Sequence, residues 1–340
     1  MKIVYFGSSE FSVPFLKKII GSKHEVAAVF TNADKKKGRG RKLAPNPVKE
    51  AAVSAGIKVF EIKEMNKDFI RDLSRVDFDY AVVISFGMIL SGEVFERWPG
   101  KWLNLHPSML PRYRGPSPMT SALLDGVRQT GVTINDVVYK VDAGSIFAQT
   151  KFNIDPDDDL GCLENKVIHF GSPLLIAVLD MIGDADYEPF PQGDDGVTYT
   201  RKITKDDLLI DWTGTGEDIV NRIRAFSPVP GAYSFFGGER IKILKASIQT
   251  PGKASSGTSV SASADNGTAG EDNRDYNNDI GLEPAGTIIS AGAKKGLLIK
   301  CAGGDIIKIE KLQPTGKKPM DHKSFINGHH PAAGARFENR

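Results

Sequence analysis

The sequence predicts an α/β protein in which a Rossmann-like, mostly parallel sheet with helices comes first and a small C-terminal OB-like β-barrel follows. Three observations carry this. From Ile3 to about Met181, short apolar runs alternate with stretches of helical periodicity, the pattern of right-handed crossovers on a parallel sheet. From Tyr233 to Leu312 the apolar runs are short and separated by glycine turns, which suits a small barrel. Between them, Asp184 to Thr204 is loop-like, with Pro189, Pro191, Gly193 and Gly196. The expected domains are therefore 1–188 and 206–340, with a linker over 189–205.

In the first domain, Ile3 to Phe6 is a strand closed by Gly7-Ser8-Ser9, and Phe11, Phe15, Leu16 and Ile19 follow at helical spacing. The turn lacks the three-glycine dinucleotide fingerprint, so a plain tight turn and an anion-binding helix start both stay open. Val26 to Thr31 is the second strand. It runs into Asp34-Lys35-Lys36-Lys37-Gly38-Arg39-Gly40-Arg41-Lys42, a glycine-containing cationic loop suited either to solvent or to a phosphate backbone. Helices are expected over Val48 to Ala55 and Asp68 to Ser74, with strands over Lys58 to Glu61 and Tyr80 to Ser85. Phe86 to Leu90 then leaves the strand as an apolar loop, which either packs on the core or lines a pocket for a flat ring.

The next stretch, Trp102 to Pro118, organises the rest. Leu103 and Leu105 alternate with Asn104 and His106, so in a strand the amide and the imidazole project from one face. Pro107 and Pro111 forbid a helix directly afterwards. Two polar groups held by a stiff turn suit proton transfer and the holding of a developing negative oxygen. A helix over Ser117 to Leu124 follows, then strands Thr130 to Val138 and Phe147 to Ile154, with Asp142 in the turn between them. Aspartate near glycine is ordinary turn chemistry unless the fold carries it to His106. Leu160 to Met181 has the periodicity and length of a helix covering one sheet face.

In the second domain a helix over Gly216 to Ala225 precedes strands at Tyr233 to Phe236, Arg240 to Ile248, Gly286 to Ser290, Gly296 to Cys301 and Asp305 to Leu312. Pro251 to Gly281, rich in Ser, Gly, Ala, Thr, Asn and Asp, is expected to be a disordered insertion, because it offers too little apolar area to offset chain entropy. A second basic cluster, Lys308, Lys311, Lys317, Lys318, His322 and Lys323, decorates the last strand and tail.

With 340 residues the chain has ample material for a buried core, and a net charge of +2 excludes a wholly cationic, polyanion-coating surface. Nucleic-acid contact would have to come from local patches. The two cysteines, Cys162 and Cys301, lie far apart without paired neighbours, which argues against a disulfide framework or a zinc site. The N-terminus starts directly on a strand, so a soluble, cytoplasmic protein is expected.

Asn104, His106-Pro107-Ser108-Met109-Leu110-Pro111 and the later Asp142 together resemble the signature of the folate-dependent formyltransferases. The cationic loop around Gly38-Arg39-Gly40, the Arg112-Tyr113-Arg114-Gly115 extension, Asp211-Trp212, Ala225 to Ala232 and Leu312 to Met320 are similar to the branch that formylates the free amino group of initiator methionyl-tRNA for translation initiation. The likeness spans almost the whole chain. Met109, where a leucine is usual, and the 251–281 insertion depart from the family pattern.

The resemblance implies a transferase taking its formyl group from 10-formyltetrahydrofolate. It implies Asn104 and a protonated His106 as oxyanion donors, and Asp142 holding the imidazole charged and taking the amine proton through a water. The folate would lie along Phe86, Gly87, Met88, Ile89, Leu90, Ser108, Leu110, Pro111, Val138 and Val141, largely on main-chain groups. The tRNA would be gripped by Lys37, Gly38, Arg39, Gly40, Arg41 and Lys42, by Arg112 and Arg114, and by the basic barrel. No metal, no membrane attachment and a monomeric state are expected. A formyltransferase acting on a small amine, such as glycinamide ribonucleotide or an amino-sugar nucleotide, would have little use for the cationic loop. A non-enzymatic nucleotide- or RNA-binding protein would have little use for Asn104, His106 and Asp142 together.

Overall fold

The computed structural model describes residues 1–37, 42–184, 187–249, 283–292 and 295–339. These residues divide into two compact units, 1–122 with 127–202, and 123–126 with 203–340.

The first unit begins with β1 (Lys2–Gly7), a short 3-10 turn, α1 (Val13–Ile20) and β2 (Glu25–Asn32). The cationic segment, expected as a plain loop, carries a small antiparallel hairpin, β3 (Lys35–Lys37) with β4 (Lys42–Ala44). Asp34 at its base accepts from the main-chain N–H of Asn46 at 2.9 Å and pairs with Lys49 at 3.0 Å. Next come α2 (Pro47–Ser54), β5 (Val59–Ile62), α3 (Lys67–Ser74), β6 (Tyr80–Ile84), α4 (Gly92–Arg97), β7 (Trp102–His106), α5 (Pro118–Leu124), β8 (Gln129–Asp136), β9 (Ile146–Asn153) and α6 (Leu160–Asp184). Asn46 and Asn66 cap α2 and α3 through their side-chain oxygens, satisfying first-turn N–H groups that have no helical partner.

The strands lie in the order β5-β2-β1-β6-β7-β8-β9. Pairing is parallel from β5 to β7 and antiparallel from β7 to β9. The sequence direction thus reverses across the β1/β6 junction, and β7 stands one strand away. On one sheet face, Trp102 of β7 joins Phe6, Phe30, Phe69 and Phe86, with Phe6 and Trp102 ring centroids 5.4 Å apart. On the other face, Leu105 meets α6. A Cβ at Gly171 would lie 3.2 Å from Leu105 and 3.3 Å from Phe15 and Val132, so this glycine lets the helix come close. The helix is long and apolar enough, by length and composition, to cross a bilayer; here it lies against β8, β9 and α1.

Residues 189–202, most of the span expected as a linker, belong to the first unit. Phe190 bridges Ile146, and Tyr199 bridges Arg114. The division therefore falls between Lys202 and Ile203.

The second unit holds α7 (Gly216–Phe226), β10 (Ala232–Phe236), β11 (Glu239–Gln249), β12 (Ile288–Gly292), β13 (Gly296–Lys300), β14 (Ile306–Pro314), β15 (Met320–Asp321), α8 (His322–His329) and β16 (Phe337–Glu338). Its antiparallel sheet runs β12-β13-β14-β11-β10-β16. Thr287 bridges Arg336, and the Phe337 N–H donates to the Gly286 carbonyl at 2.9 Å, so the curled sheet meets itself. Inside lie Trp212, Phe226, Ile241, Ile243, Leu297, Ile299, Ile307, Ile309, Phe325 and Phe337. Alternation along β11 and β14 leaves Lys242, Lys245, Lys308 and Lys311 on neighbouring outward positions. Two helices were not expected: α4, and α8 in the basic tail. Both are short, and in α8 the Asp321 cap supplies the start that a sequence of His, Lys, Asn and Gly hides. The 251–281 insertion lies outside the described residues.

Candidate active site

The site is built on β7 and the turn that follows it. After Pro107, the hydroxyl of Thr133 donates to the Ser108 carbonyl at 2.7 Å and accepts from the Leu110 N–H at 3.2 Å; Gln149 donates to the Leu110 carbonyl at 2.9 Å. These bonds pin the turn to β8 and β9. The Leu110–Pro111 peptide bond is cis. Tyr113, at φ +61°, and Gly115, at φ +115°, then aim main-chain groups back at the strand. Gly115 is the residue for that place: a Cβ there would lie 2.6 Å from the Thr200 carbonyl oxygen.

Asn104, His106 and Asp142 do come together. The 137–145 loop folds back over the sheet face, bringing Asp142 Oδ2 to 3.6 Å from His106 Nδ1 and Asp142 Oδ1 to 3.4 Å from Asn104 Nδ2. Asn104 Nδ2 also donates to Oδ1 of buried Asn135 at 3.2 Å. The Gly115 N–H donates to Asp142 Oδ2 at 2.7 Å. Both carboxylate oxygens are thus oriented by N–H donors, one each.

His106 Nε2 lies 2.9 Å from the Tyr113 carbonyl oxygen. A carbonyl only accepts, so Nε2 carries the proton and Nδ1 is the nitrogen left to accept one. Burial pushes the imidazole pKa below its ordinary value, while the Asp142 carboxylate and the Tyr113 carbonyl oppose the shift. Burial thus favours the neutral imidazole at rest, whereas the resemblance implies a charged one during the transfer.

Behind Asp142 stand two residues that the sequence reading did not assign to the chemistry. Gln192 Nε2 donates to the carbonyls of Asp142 at 2.8 Å and Gly144 at 2.7 Å. Its Oε1 accepts from Arg114 Nε at 3.1 Å and Nη2 at 2.6 Å. Arg114 is 4% exposed, and its guanidinium also faces Tyr199. Expected as an RNA contact, Arg114 is instead spent inside the protein, because the turn that frees the Gly115 N–H sends its side chain inward. Gln192 sits in a Pro/Gly loop with no periodicity to mark it.

The remaining expected residues divide. Phe86 and Leu90 are core, and Phe86 packs edge-on against Phe6 at 5.4 Å. Gly87 and Ile89 are exposed, Ile89 by 86%, and Met88 is half-buried. Asn32 Nδ2 anchors this loop on the Phe86 carbonyl at 2.9 Å. Ser108 is buried, its hydroxyl donating to the Arg112 carbonyl at 2.7 Å; Leu110 is buried and Pro111 half-buried. Val138 and Val141 are exposed on the Asp142 loop. Arg112 is exposed. Gly38, Arg39, Gly40 and Arg41 lie outside the described residues, while Lys37 and Lys42 stand on the flanking strands. Among the described residues, no group of three or more His, Cys, Asp or Glu side chains is arranged to hold a metal ion.

The formyl transferase family pattern matches residues 1–179, and the formyl transferase C-terminal domain matches residues 202–330. The methionyl-tRNA formyltransferase of Dictyoglomus turgidum is 36% identical over 341 aligned residues, covering 100% of both chains. That of Sulfurihydrogenibium sp. is 34% identical, covering 99% of this chain and 100% of its own. Among solved structures, an N-formyltransferase from Helicobacter canadensis, in complex with folinic acid and dTDP-3-aminofucose, superposes with a TM-score of 0.62 at 18% identity, covering 91% of this chain and 98% of the other. The sugar N-formyltransferase WlaRD, with dTDP and 5-N-formyl-THF, gives 0.61 at 21% identity, covering 94% and 99%. These two likenesses concern the fold; the full-length sequence matches carry the assignment. The chain belongs to the formyl transferase family, in its methionyl-tRNA formyltransferase branch.

Proposed function

We propose that the chain transfers the formyl group of 10-formyltetrahydrofolate to the free amino group of methionyl-tRNA, giving N-formylmethionyl-tRNA for translation initiation. The observation that carries the chemistry is the meeting of Asn104, His106 and Asp142 on one face of β7. The folate supplies the formyl carbon: the amine–carbon bond forms, the carbon–N10 bond breaks, and one proton passes from the amine to N10.

His106 accepts that proton at Nδ1 as the amine attacks, then returns it to the leaving nitrogen. The Asp142 carboxylate stabilises the imidazolium in between. Asn104 turns an amide N–H to the developing oxyanion, joined by the newly protonated Nδ1–H. Tyr113 and Gly115 hold the imidazole and the carboxylate through their main-chain groups.

The residues around the site fit a folate. Exposed Ile89, Val138 and Val141 offer apolar surface, and the Phe86–Leu90 loop, with its side-chain anchors in the core, presents main-chain groups. Lys37, Arg39, Arg41, Lys42 and exposed Arg112 are assigned to the acceptor end of the tRNA. The four outward lysines of β11 and β14 are assigned to its phosphates. Cytoplasmic action as a monomer, with no metal, completes the reading.

Purified protein given 10-formyltetrahydrofolate with methionyl-tRNA or with glycinamide ribonucleotide should formylate the tRNA alone. Transfer to the small amine but not to the tRNA would overturn the acceptor. Arg39→Ala should raise KM for methionyl-tRNA by roughly tenfold or more, the size of one lost phosphate contact with local rearrangement, and leave folate affinity unchanged. Equal loss for both substrates would remove the loop from the tRNA interface.

A further inference from the structure

We propose that Gln192, braced by Arg114, is a positioning residue for Asp142, fixing the main chain that aims the carboxylate at His106. The inference rests on the formyl-transfer reading only for its kinetic arm. Asp142 sits at φ +50°, in the left-handed region. A non-glycine residue there is strained and persists where its surroundings over-determine it. Gln192 supplies that determination: one amide group donates to two carbonyls of the same turn, at Asp142 and Gly144, and so sets their separation.

The orientation of that amide is fixed from behind. Its oxygen faces two guanidinium N–H groups of Arg114. Rotating the amide by half a turn would set donor against donor and carbonyl against carbonyl. Arg114 is itself held along its main chain, donating to the Thr198 carbonyl at 2.9 Å and accepting from the Thr200 N–H at 2.7 Å. Its neighbour Gly115 donates directly to the Asp142 carboxylate. Two consecutive residues therefore grip both ends of Asp142, the carboxylate directly and the carbonyl through Gln192. Arg114 reaches the reacting groups only by way of that amide.

Gln192→Glu tests this. The new carboxylate keeps its bond to Arg114 but turns an acceptor toward the two carbonyls, so the turn opens and Asp142 moves off His106. The charged group facing His106 is Asp142, with Arg114 standing behind Gln192. Losing the carboxylate from Nδ1 therefore lowers the imidazole midpoint. The readout is the NMR titration of His106 in the free protein, its signal assigned among six histidines by its loss in His106→Gln. A downward shift is expected, together with a fall in kcat of about tenfold to a hundredfold and both KM values within about twofold, as for a misplaced catalytic group.

Gln192→Met, uncharged and of similar length, carries the same comparison should the glutamate variant not fold. Arg114→Met, and Arg114→Met combined with Gln192→Met, should cost no more than Gln192→Met alone. A folded Gln192 variant with wild-type His106 titration and kcat, or additive losses in the double variant, would overturn the proposal. The titration needs no substrate. Failure of the wild-type protein to formylate methionyl-tRNA would sink the functional reading and leave this result standing.

Discussion

His106 donates its Nε2–H to the main-chain carbonyl of Tyr113 at 2.9 Å, and this single bond leaves Nδ1 as the nitrogen open to a proton. Nδ1 is left facing Asp142 at 3.6 Å, too long for a direct hydrogen bond and within reach of a charge. In the proposed mechanism the imidazole becomes charged as the reaction proceeds, and the carboxylate stands within reach to stabilise it.

Asp142→Asn keeps the size and shape of the side chain but removes the charge. We expect kcat to fall by at least about a hundredfold, comparable to losing a preorganised electrostatic partner. The carboxylate raises the His106 pKa against burial, so its removal lowers it further. A step that needs neutral His106 on its acid side should therefore show that limb displaced to lower pH, beneath a lower plateau. Single-turnover formyl transfer across pH checks both; an acid limb that moves upward contradicts the assignment.

Asn104→Ala removes the amide assigned to the oxyanion, whose Nδ2 donates at rest to Asn135 and Asp142. The cost expected is about a hundredfold to a thousandfold in kcat with KM values near wild type, since the contact strengthens only as charge develops. Steady-state kinetics in each substrate separate the two. A loss confined to KM would make Asn104 a ground-state binding residue.

Burial of His106 also links stability to pH. Its folded pKa lies below the unfolded value of about 6.5, so the unfolded chain binds the extra proton first. The stabilisation is complete above the unfolded pKa and is lost as pH falls through the folded one. Urea midpoints should drop between about pH 7.5 and pH 5.5, and the drop should be smaller in His106→Gln. An equal drop in both proteins would show that the imidazole is not held neutral.

Much of this was legible in the sequence, for reasons that individual residues make plain. The alternation Leu103-Asn104-Leu105-His106 is a strand with one polar face, and in the structure Leu105 faces α6 while Asn104 and His106 face Asp142. Asp142 was nameable from the family pattern. Tyr113 was hidden because its contribution is a carbonyl, which every residue has. Gln192 was hidden because its partners, Arg114 and Asp142, are far away in the chain and its own loop has no period. Arg114 misled because a cation beside a cationic neighbour reads as surface, and only the turn at Gly115 shows that it points inward. From the residues alone Phe86 and Leu90 read as core ahead of pocket, and the aromatic cluster around Phe6 takes their side chains.

Gly115→Ala concentrates several of these contacts in one methyl group. The residue sits at φ +115°, where an alanine is strained, and the added Cβ would lie 2.6 Å from the Thr200 carbonyl oxygen. Relief requires the 113–115 turn to move. That movement takes the Gly115 N–H from the Asp142 carboxylate and the Tyr113 carbonyl from His106. We expect a stability loss of about 1–3 kcal/mol from the strained backbone alone, read as a lower urea midpoint at unchanged slope. Formyl transfer should fall much further than that destabilisation explains, because at temperatures where the variant is still fully folded its catalytic pair is already out of register. A folded Gly115→Ala protein with near wild-type kcat would mean that the two main-chain bonds do not hold the site.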